Sequence, residues 1–514
     1  MIKSFVKSLR QPQAQGRIDD GQPIAVLDIG SNSVRLVVYE RHVRALTPIY
    51  NEKVACGLGR GIGQTGALAQ ESVDRALVAM RRFARVCAIT KVGALHILAT
   101  AATRDASNGA LFIEAVEEIM DASVRVLSGE EEAHYAAMGT LAGMPHQNGL
   151  LGDFGGGSLE FAHLENRHVV AGETHKVGAI RLQDDSEGDV SRAYDIALKR
   201  LSKSDLLQSE KWPEFVAIGG TWRAIAKILQ DETNYPLTMI QGYRVSAKEM
   251  RALCAKIVDG AKKGELPEAL SRLSSNRREL VPFGAAALLA TLELGKFKGV
   301  KFSALGVREG YLFEQLPQPA QETDPLLQAC EDLSVLRSRA PQHAADLIDF
   351  SNRFFEAAKI GETDTHRQLR HATCYLSDIS WRGHPDYRGT QAIDSVAYGA
   401  FVGIDHKGRS HISRALAVRY AGLKRKHIEA DTLFDLCDED DAYHADIVGL
   451  LLRLAYLLSA AMPGVLSTIE WALTDDNKLQ LVLPAGLEVL AAEKMLRRFK
   501  QLGDFCGFET EIVV

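Results

Sequence analysis

The sequence has few cysteines. Its seven, at positions 56, 87, 254, 330, 374, 437 and 506, are scattered and form no CxxC pair. That spacing argues against a disulfide framework or a cysteine zinc site and fits reduced thiols in a cytoplasmic protein. Long apolar runs are also missing. No stretch reaches the ~18 residues of a membrane span, and LLRLAYLLSAAM at 451–462 is too short. The N-terminus has no apolar segment of signal-peptide length, and residues 1–20 are expected to be loose. No membrane partner is therefore expected. Positive charge is not in excess: the net charge is −6, which gives no reason to expect nucleic acid. A polyanionic ligand would need arginines and lysines gathered locally against that overall sign.

At 514 residues, with 46% hydrophobic and 25% charged positions, the chain is globular in composition and long enough for about three or four domains. Residues 24–40 read as a hairpin whose turn holds Gly30 and Asn32. Residues 72–92 space Val73, Leu77, Met80 and Ala84 on one helical face, 95–100 read as a buried strand, and 124–129 as another. A helix opening with Glu130, Glu131 and Glu132 follows, acidic side chains being favoured at a helix start. The plan then repeats. Residues 149–165 are strand, glycine turn, strand; 214–229 are strand, Gly-Gly turn, helix; 301–312 are strand, glycine turn, helix. This alternation implies mixed α/β layers. A Pro-rich linker at 316–325 precedes an almost entirely helical stretch, 326–462, and the tail 463–514 reads as a small β-β-α-β module.

The glycine turns carry the chemistry. LDIGSNS at 27–33 and GDFGGGSLE at 152–160 share an acid, a glycine turn and a serine. Glycine lets a backbone approach a ligand closely and aim its N–H groups at anionic oxygens. Ser31, Asn32, Ser33 and Ser158 add side-chain donors. Two such hairpins facing each other form a clamp for a phosphate chain, and Asp28, Asp153 and Glu160 offer hard oxygen ligands suited to Mg²⁺.

The ordered set AVLDIGSNSVRL, LATAATRDASN, LSGEEEAHYAAMG, LGDFGGGSLEF, VAIGGTWRAIAKI and SALGVREGYL resembles the exopolyphosphatase / guanosine pentaphosphate phosphohydrolase (Ppx/GppA) family, strongly over 24–315 and more weakly beyond. The resemblance implies an actin-like fold: two ribonuclease-H-like domains (21–135 and 136–318) with a cleft between them. A helical HD-like domain (326–462) and a small α+β C-terminal domain (463–514) follow. It implies Mg²⁺-dependent hydrolysis of terminal phosphoanhydride bonds, in inorganic polyphosphate or in guanosine pentaphosphate. Homodimerisation is a family habit, and regulation by guanosine tetraphosphate stays open.

By that resemblance Glu132 is the catalytic glutamate that orients or deprotonates the attacking water. Asp28, Asp153 and Glu160 are metal candidates. Gly30, Ser31, Asn32, Ser33, Gly155, Gly156, Gly157 and Ser158 contact phosphate, with Arg35, Arg104 and Arg277 as cations and Arg278 competing with Arg277. Arginine's planar fork suits bidentate phosphate contact. Trp222, after the Gly219–Gly220 turn, either fills a nucleoside position or packs. In the HD-like region Ser377 precedes Asp378 where the motif needs histidine, and His371 and His384 are wrongly spaced, so this domain is expected to be catalytically degenerate. Two basic clusters, Arg419 with Lys424, Arg425, Lys426 and His427, and Lys494 with Arg497, Arg498 and Lys500, are solvated faces or a path for a long chain. The competing readings are a pentaphosphate hydrolase, an actin-like kinase or ATPase, and a non-catalytic sensor.

Overall fold

The computed structural model describes residues 16–18, 21–209, 212–265, 267–425 and 427–514. The loose N-terminus expected from sequence and Lys426 of the first basic cluster thus lie largely or wholly outside the described residues. The described chain divides into two compact units, one built mainly of 23–326 with 397–409, the other of 327–396 and 410–514.

The first unit holds two sheets built on one plan. Sheet one contains β1 (Ile24–Ile29), β2 (Ser33–Tyr39), β3 (Pro48–Ala55), β4 (Ala94–Ala99) and β5 (Val124–Val126), in the order β3-β2-β1-β4-β5. The first three strands are antiparallel, and β1, β4 and β5 run parallel. Sheet two contains β6 (Gly149–Phe154), β7 (Leu159–Glu165), β8 (His168–His175), β9 (Glu214–Ile218), β10 (Arg244–Ser246) and β11 (Gly299–Phe302), in the order β8-β7-β6-β9-β11-β10. Again the first three are antiparallel, β6, β9 and β11 are parallel, and β10 adds an antiparallel edge. The hairpins expected from sequence are present, each extended by a third strand, β3 or β8, that the sequence reading did not contain. Both are edge strands with alternating exposed positions, so they lack the continuous apolar run of the buried β1.

Each parallel strand ends in the same direction as its neighbours. In open α/β sheets a ligand sits beyond those carboxyl ends. The turns after β1, β4, β6, β9 and β11 are the motifs singled out above.

Two helices lock the unit together. Gly129–Gly143 crosses Val307–Glu314 so closely that a Cβ on Gly310 would fall 1.9 Å from the Tyr135 carbonyl oxygen. Glycine is therefore required at this crossing, and Glu132 and Arg308, near the two helix starts, stand on a rigid support.

In the second unit, helices Pro325–Arg337, His343–Ala357, Asp364–Leu376, Arg388–Ala397, His406–Ala421 and Glu439–Ser459 lead into β12 (Glu470–Leu473), β13 (Lys478–Val482), helix Glu493–Cys506 and β14 (Glu509–Val513). Glu439–Ser459 is long and apolar enough to cross a membrane, but it is a core helix, mostly buried among its neighbours. Three boundary expectations change. The linker 316–325 forms a short helix, Gln318–Glu322. Residues 397–409 interrupt the helical region and belong to the first unit. There Arg409 donates to the carbonyls of Gly399 and Phe401 at 2.9 Å, and Gly403 N donates to the Gly143 carbonyl. The tail 463–514 does not have a core of its own: Trp471 packs on Phe350 and Phe354 at 5.1 Å and on Phe499 at 5.9 Å.

Candidate active site

The two glycine hairpins meet. A Cβ on Gly156 would come within 3.0 Å of Ser31 Cβ, and one on Gly157 within 3.1 Å of Ser31 Oγ. Only residues without side chains let the tips approach this far. Between and beside them lies a cavity of about 210 Å³.

Both tips commit their carbonyls to surrounding chain. Ser31 O accepts from Gly59 N, and Asn32 O accepts from Cys56 N and Gly57 N. Gly155 O accepts from Ala179 N, and Gly156 O from Ile180 N and Arg181 N. The amides of Ser31, Asn32, Gly156 and Gly157 have no acceptor among the described residues. Such a row of unsatisfied donors is an anion nest.

Of the candidates named from sequence, Asp28, Gly30, Ser31, Asn32, Ser33, Arg35, Glu132, Asp153, Gly155, Gly156, Gly157, Ser158, Glu160 and Arg277 all line this cavity. Arg104 does not; it stands behind Glu132 with its guanidinium 2.5 Å from the carboxylate. Arg278 turns away, donating to the Ser271 and Leu273 carbonyls.

The three consecutive glutamates separate cleanly. Glu131 closes a capping box with Ser128, Glu130 is exposed, and only Glu132 faces the cavity. Burial raises the Glu132 carboxyl to about 7 even though Arg104 pulls the other way. Burial likewise lifts Asp153 to about 6 against the pull of Arg223. Glu160 is pushed well above the usual carboxylate range by burial and then by Glu132, and its Oε1 is buried with no hydrogen-bond partner. Like charges in a dry site resist ionising together.

Three cavity cations escaped the sequence reading. Arg308 donates to Asp28 at 2.8 Å, and its charge is reinforced, against burial, by Glu309 and Asp28. Arg223 is drawn down to about 10 by burial and by Arg308. Lys53 is drawn down to about 8 by burial and by neighbouring arginines. Arg223 and Arg308 each lie in the first turn after a glycine turn, in GGTWR and GVREG, which was the available signal. Lys53 comes from the unread strand β3.

Trp222 is fully buried behind the Gly219–Gly220 turn, stacked on Phe154 at 4.9 Å and donating to the Gly284 carbonyl. It packs in the core and does not line the cavity. In the second unit, Asp378 is clamped by Arg339 at 2.7 and 2.9 Å, and Ser377 bonds Cys374 O and Tyr456. His371 meets Asn352, and His384 lies near Asp386. Arg425 lies over Phe434 and Arg419 over Tyr456, so part of the first basic cluster is engaged in packing. In the second, Lys500 pairs with Asp504.

The carboxylates share one cavity, yet no group of three metal-binding side chains among the described residues is gathered closely enough to hold an ion alone. A divalent cation would fit through one or two of Asp153, Glu160 and Asp28 together with phosphate oxygens and water, which is how Mg²⁺ is commonly held. The unpartnered Glu160 Oε1 and the raised carboxyls are what such a cation would relieve.

Comparison with known proteins identifies the family. The profile of the Ppx/GppA phosphatase family matches residues 36–319, and that of the exopolyphosphatase C-terminal region matches 326–513. The chain is 24% identical over 444 residues to retrograde regulation protein 2 of Saccharomyces cerevisiae, covering 77% of this chain and 72% of that one. It is 25% identical over 503 residues to the guanosine-5'-triphosphate,3'-diphosphate pyrophosphatase of Pseudoalteromonas atlantica, covering 90% and 91%. The crystal structure of an exopolyphosphatase from Cytophaga hutchinsonii superposes with a TM-score of 0.51 at 22% identity, over 57% of this chain and 97% of that one. With two hairpin tips closing on one anion nest and a profile match over more than half its length, the chain belongs to the Ppx/GppA phosphatase family, hydrolases of phosphoanhydride bonds.

Proposed function

We propose that the chain is an exopolyphosphatase that removes orthophosphate from the end of inorganic polyphosphate. The observation that carries this reading is the gathering of five cations, Arg35, Lys53, Arg223, Arg277 and Arg308, in one cavity with the amide nest and a carboxyl raised to about 7. A polyanion needs such local positive charge, and a general base works best when its pKa lies near the operating pH.

In this reading the terminal phosphoryl group rests on the amides of the two tips. A water held by Glu132 attacks its phosphorus, and the proton passes to the Glu132 carboxylate. The bond from phosphorus to the bridging oxygen breaks, and its electron pair stays on the shortened chain. Arg104 holds Glu132 in place and offsets part of the burial that raises its carboxyl. A divalent cation held by one or two of Asp153, Glu160 and Asp28 would neutralise charge on the phosphate oxygens. The arrangement Asp28, Arg308, Glu309 and Tyr39 fixes the first hairpin: Tyr39 donates to Glu309 at 2.7 Å and Arg308 bridges to Asp28.

The second reading is guanosine pentaphosphate hydrolysis, favoured by the name of the relative that matches nearly end to end. Trp222 weighs on the other side, since it fills the space behind the Gly219–Gly220 turn where a base could have been seated. The test is kcat/KM for polyphosphates of several lengths against guanosine pentaphosphate, with Mg²⁺ and with chelator. Polyphosphate should be preferred by at least tenfold and chelation should abolish turnover. A preference for the nucleotide would replace the first reading by the second.

A further inference from the structure

The cavity is not the only way to the reacting centre. A second opening of about 650 Å³ lies on the other side of the Arg104–Glu132 pair. Ala101, Gly157 and Ser158 line both spaces. Glu132 faces the first, Arg104 the second. The wall between them is therefore one ion pair and one loop thick. Its outer member is the more open: the Arg104 side chain is 26% exposed and the Glu132 side chain 9%.

We propose that this second opening binds orthophosphate and is the route by which it leaves. The proposal rests on the hydrolase reading above. In an in-line displacement the water enters opposite the bridging oxygen. The orthophosphate formed thus lies between Glu132 and the new end of the chain. Front-side cations that keep the shortened chain in place also keep the front closed to the product. The exit that does not require the chain to let go is past Glu132 and Arg104.

The walls suit a small anion. Arg181 is held by Asp105 at 3.1 Å and by the Gly157 carbonyl, which fixes a guanidinium beside the loop. Arg104 stands at the inner end. Lys176, exposed at the outer end, makes no ion pair with any described residue. Two of the three acids on the same walls are already engaged, Asp105 with Arg104 and Arg181, and Glu173 with His175, Ser204 and the Leu206 amide; the third, Glu130, is exposed to solvent, where its charge is screened.

A site of this kind is filled while the chain is still bound, so it has a kinetic signature. Orthophosphate should inhibit polyphosphate hydrolysis in a mixed or non-competitive pattern. Lys176→Glu should raise its inhibition constant about five- to tenfold at low salt, Lys176→Arg should restore it, and the rate of a quenched single turnover should stay within twofold of wild type. Purely competitive inhibition, no inhibition, or an unchanged constant in Lys176→Glu would overturn the proposal. So would a change in the KM for polyphosphate alone, which would mean that the chain itself uses this opening. Absence of any polyphosphate cleavage in the wild-type single turnover would instead remove the hydrolase reading, and the two failures are thereby told apart.

Discussion

In the first unit Glu132, Asp153 and Glu160 share a cavity in which all three carboxyls are raised and one oxygen has no partner. The second unit buries a charged cluster of its own. Arg370, 1% exposed, donates to Glu362, Ser351 and Asn352. His444 meets Glu362 and His411, His366 meets Asp441, and the His366 and His444 rings stack at 4.3 Å. Here the carboxylate moves the other way: against burial, His444 and Arg370 bring Glu362 down to about 2. One set of charges is left in conflict and opens on a cavity; in the other, Arg370 and His444 answer Glu362. Conflict maintained by a fold is a mark of a working site, whereas mutual satisfaction is a mark of structure.

The contrast breaks most sharply at Glu132. Glu132→Gln should lower phosphate release by about 10²–10⁴-fold, the usual worth of a positioned general base. In the wild type, the base must be ionised to act. With its carboxyl raised to about 7, log(kcat/KM) should rise with unit slope up to about pH 7 and level off above. The variant should lose that limb. A rate that survives the substitution, or an acid limb that persists in it, would take Glu132 out of the reaction.

Arg370→Ala should do the opposite. Removing the cation from a buried pair leaves Glu362 uncompensated and should cost ~3–5 kcal/mol of stability. Activity per folded molecule should be unchanged. Denaturant midpoints together with active-site titration check both halves. Lost activity with unchanged stability would mean that the histidine cluster is a functional site and that the contrast is false.

Much of this contrast was legible in the sequence, for a physical reason. The motifs of the candidate site sit at the carboxyl ends of central strands, where a glycine, an acid and a hydroxyl must occur within a few residues of an apolar run. Local order in the sequence is then local order in space. Glu132 was separable from Glu130 and Glu131 only by resemblance; in the structure the separation comes from the Ser128–Glu131 capping box, which fixes the helix phase. What was not legible depends on distant partners. Trp222 had two readings until Phe154, from another strand, was placed against it. Lys53 reaches the cavity from an edge strand whose mixed polarity hid it. The second unit's cluster draws on residues from 351 to 444, and no short window contains enough of it to be read.

The finest division between the two clusters lies at Glu160. It is 3% exposed and its carboxyl is raised by burial and by Glu132, with Ser158 only partly offsetting them. A carboxyl raised above its unfolded value of 4.5 favours the fold when protonated. That contribution is complete below 4.5 and is lost as pH rises through the folded value. Glu160→Gln fixes the neutral form. Its melting temperature should therefore match wild type near pH 4 and exceed it increasingly toward alkaline pH. Glu362, whose pKa is lowered, predicts the reverse: Glu362→Gln should be least harmful in acid and most harmful at neutral pH. Parallel pH–stability curves for the two variants would mean that both carboxylates sit in equivalent surroundings, and the distinction between a frustrated and a satisfied cluster would fail.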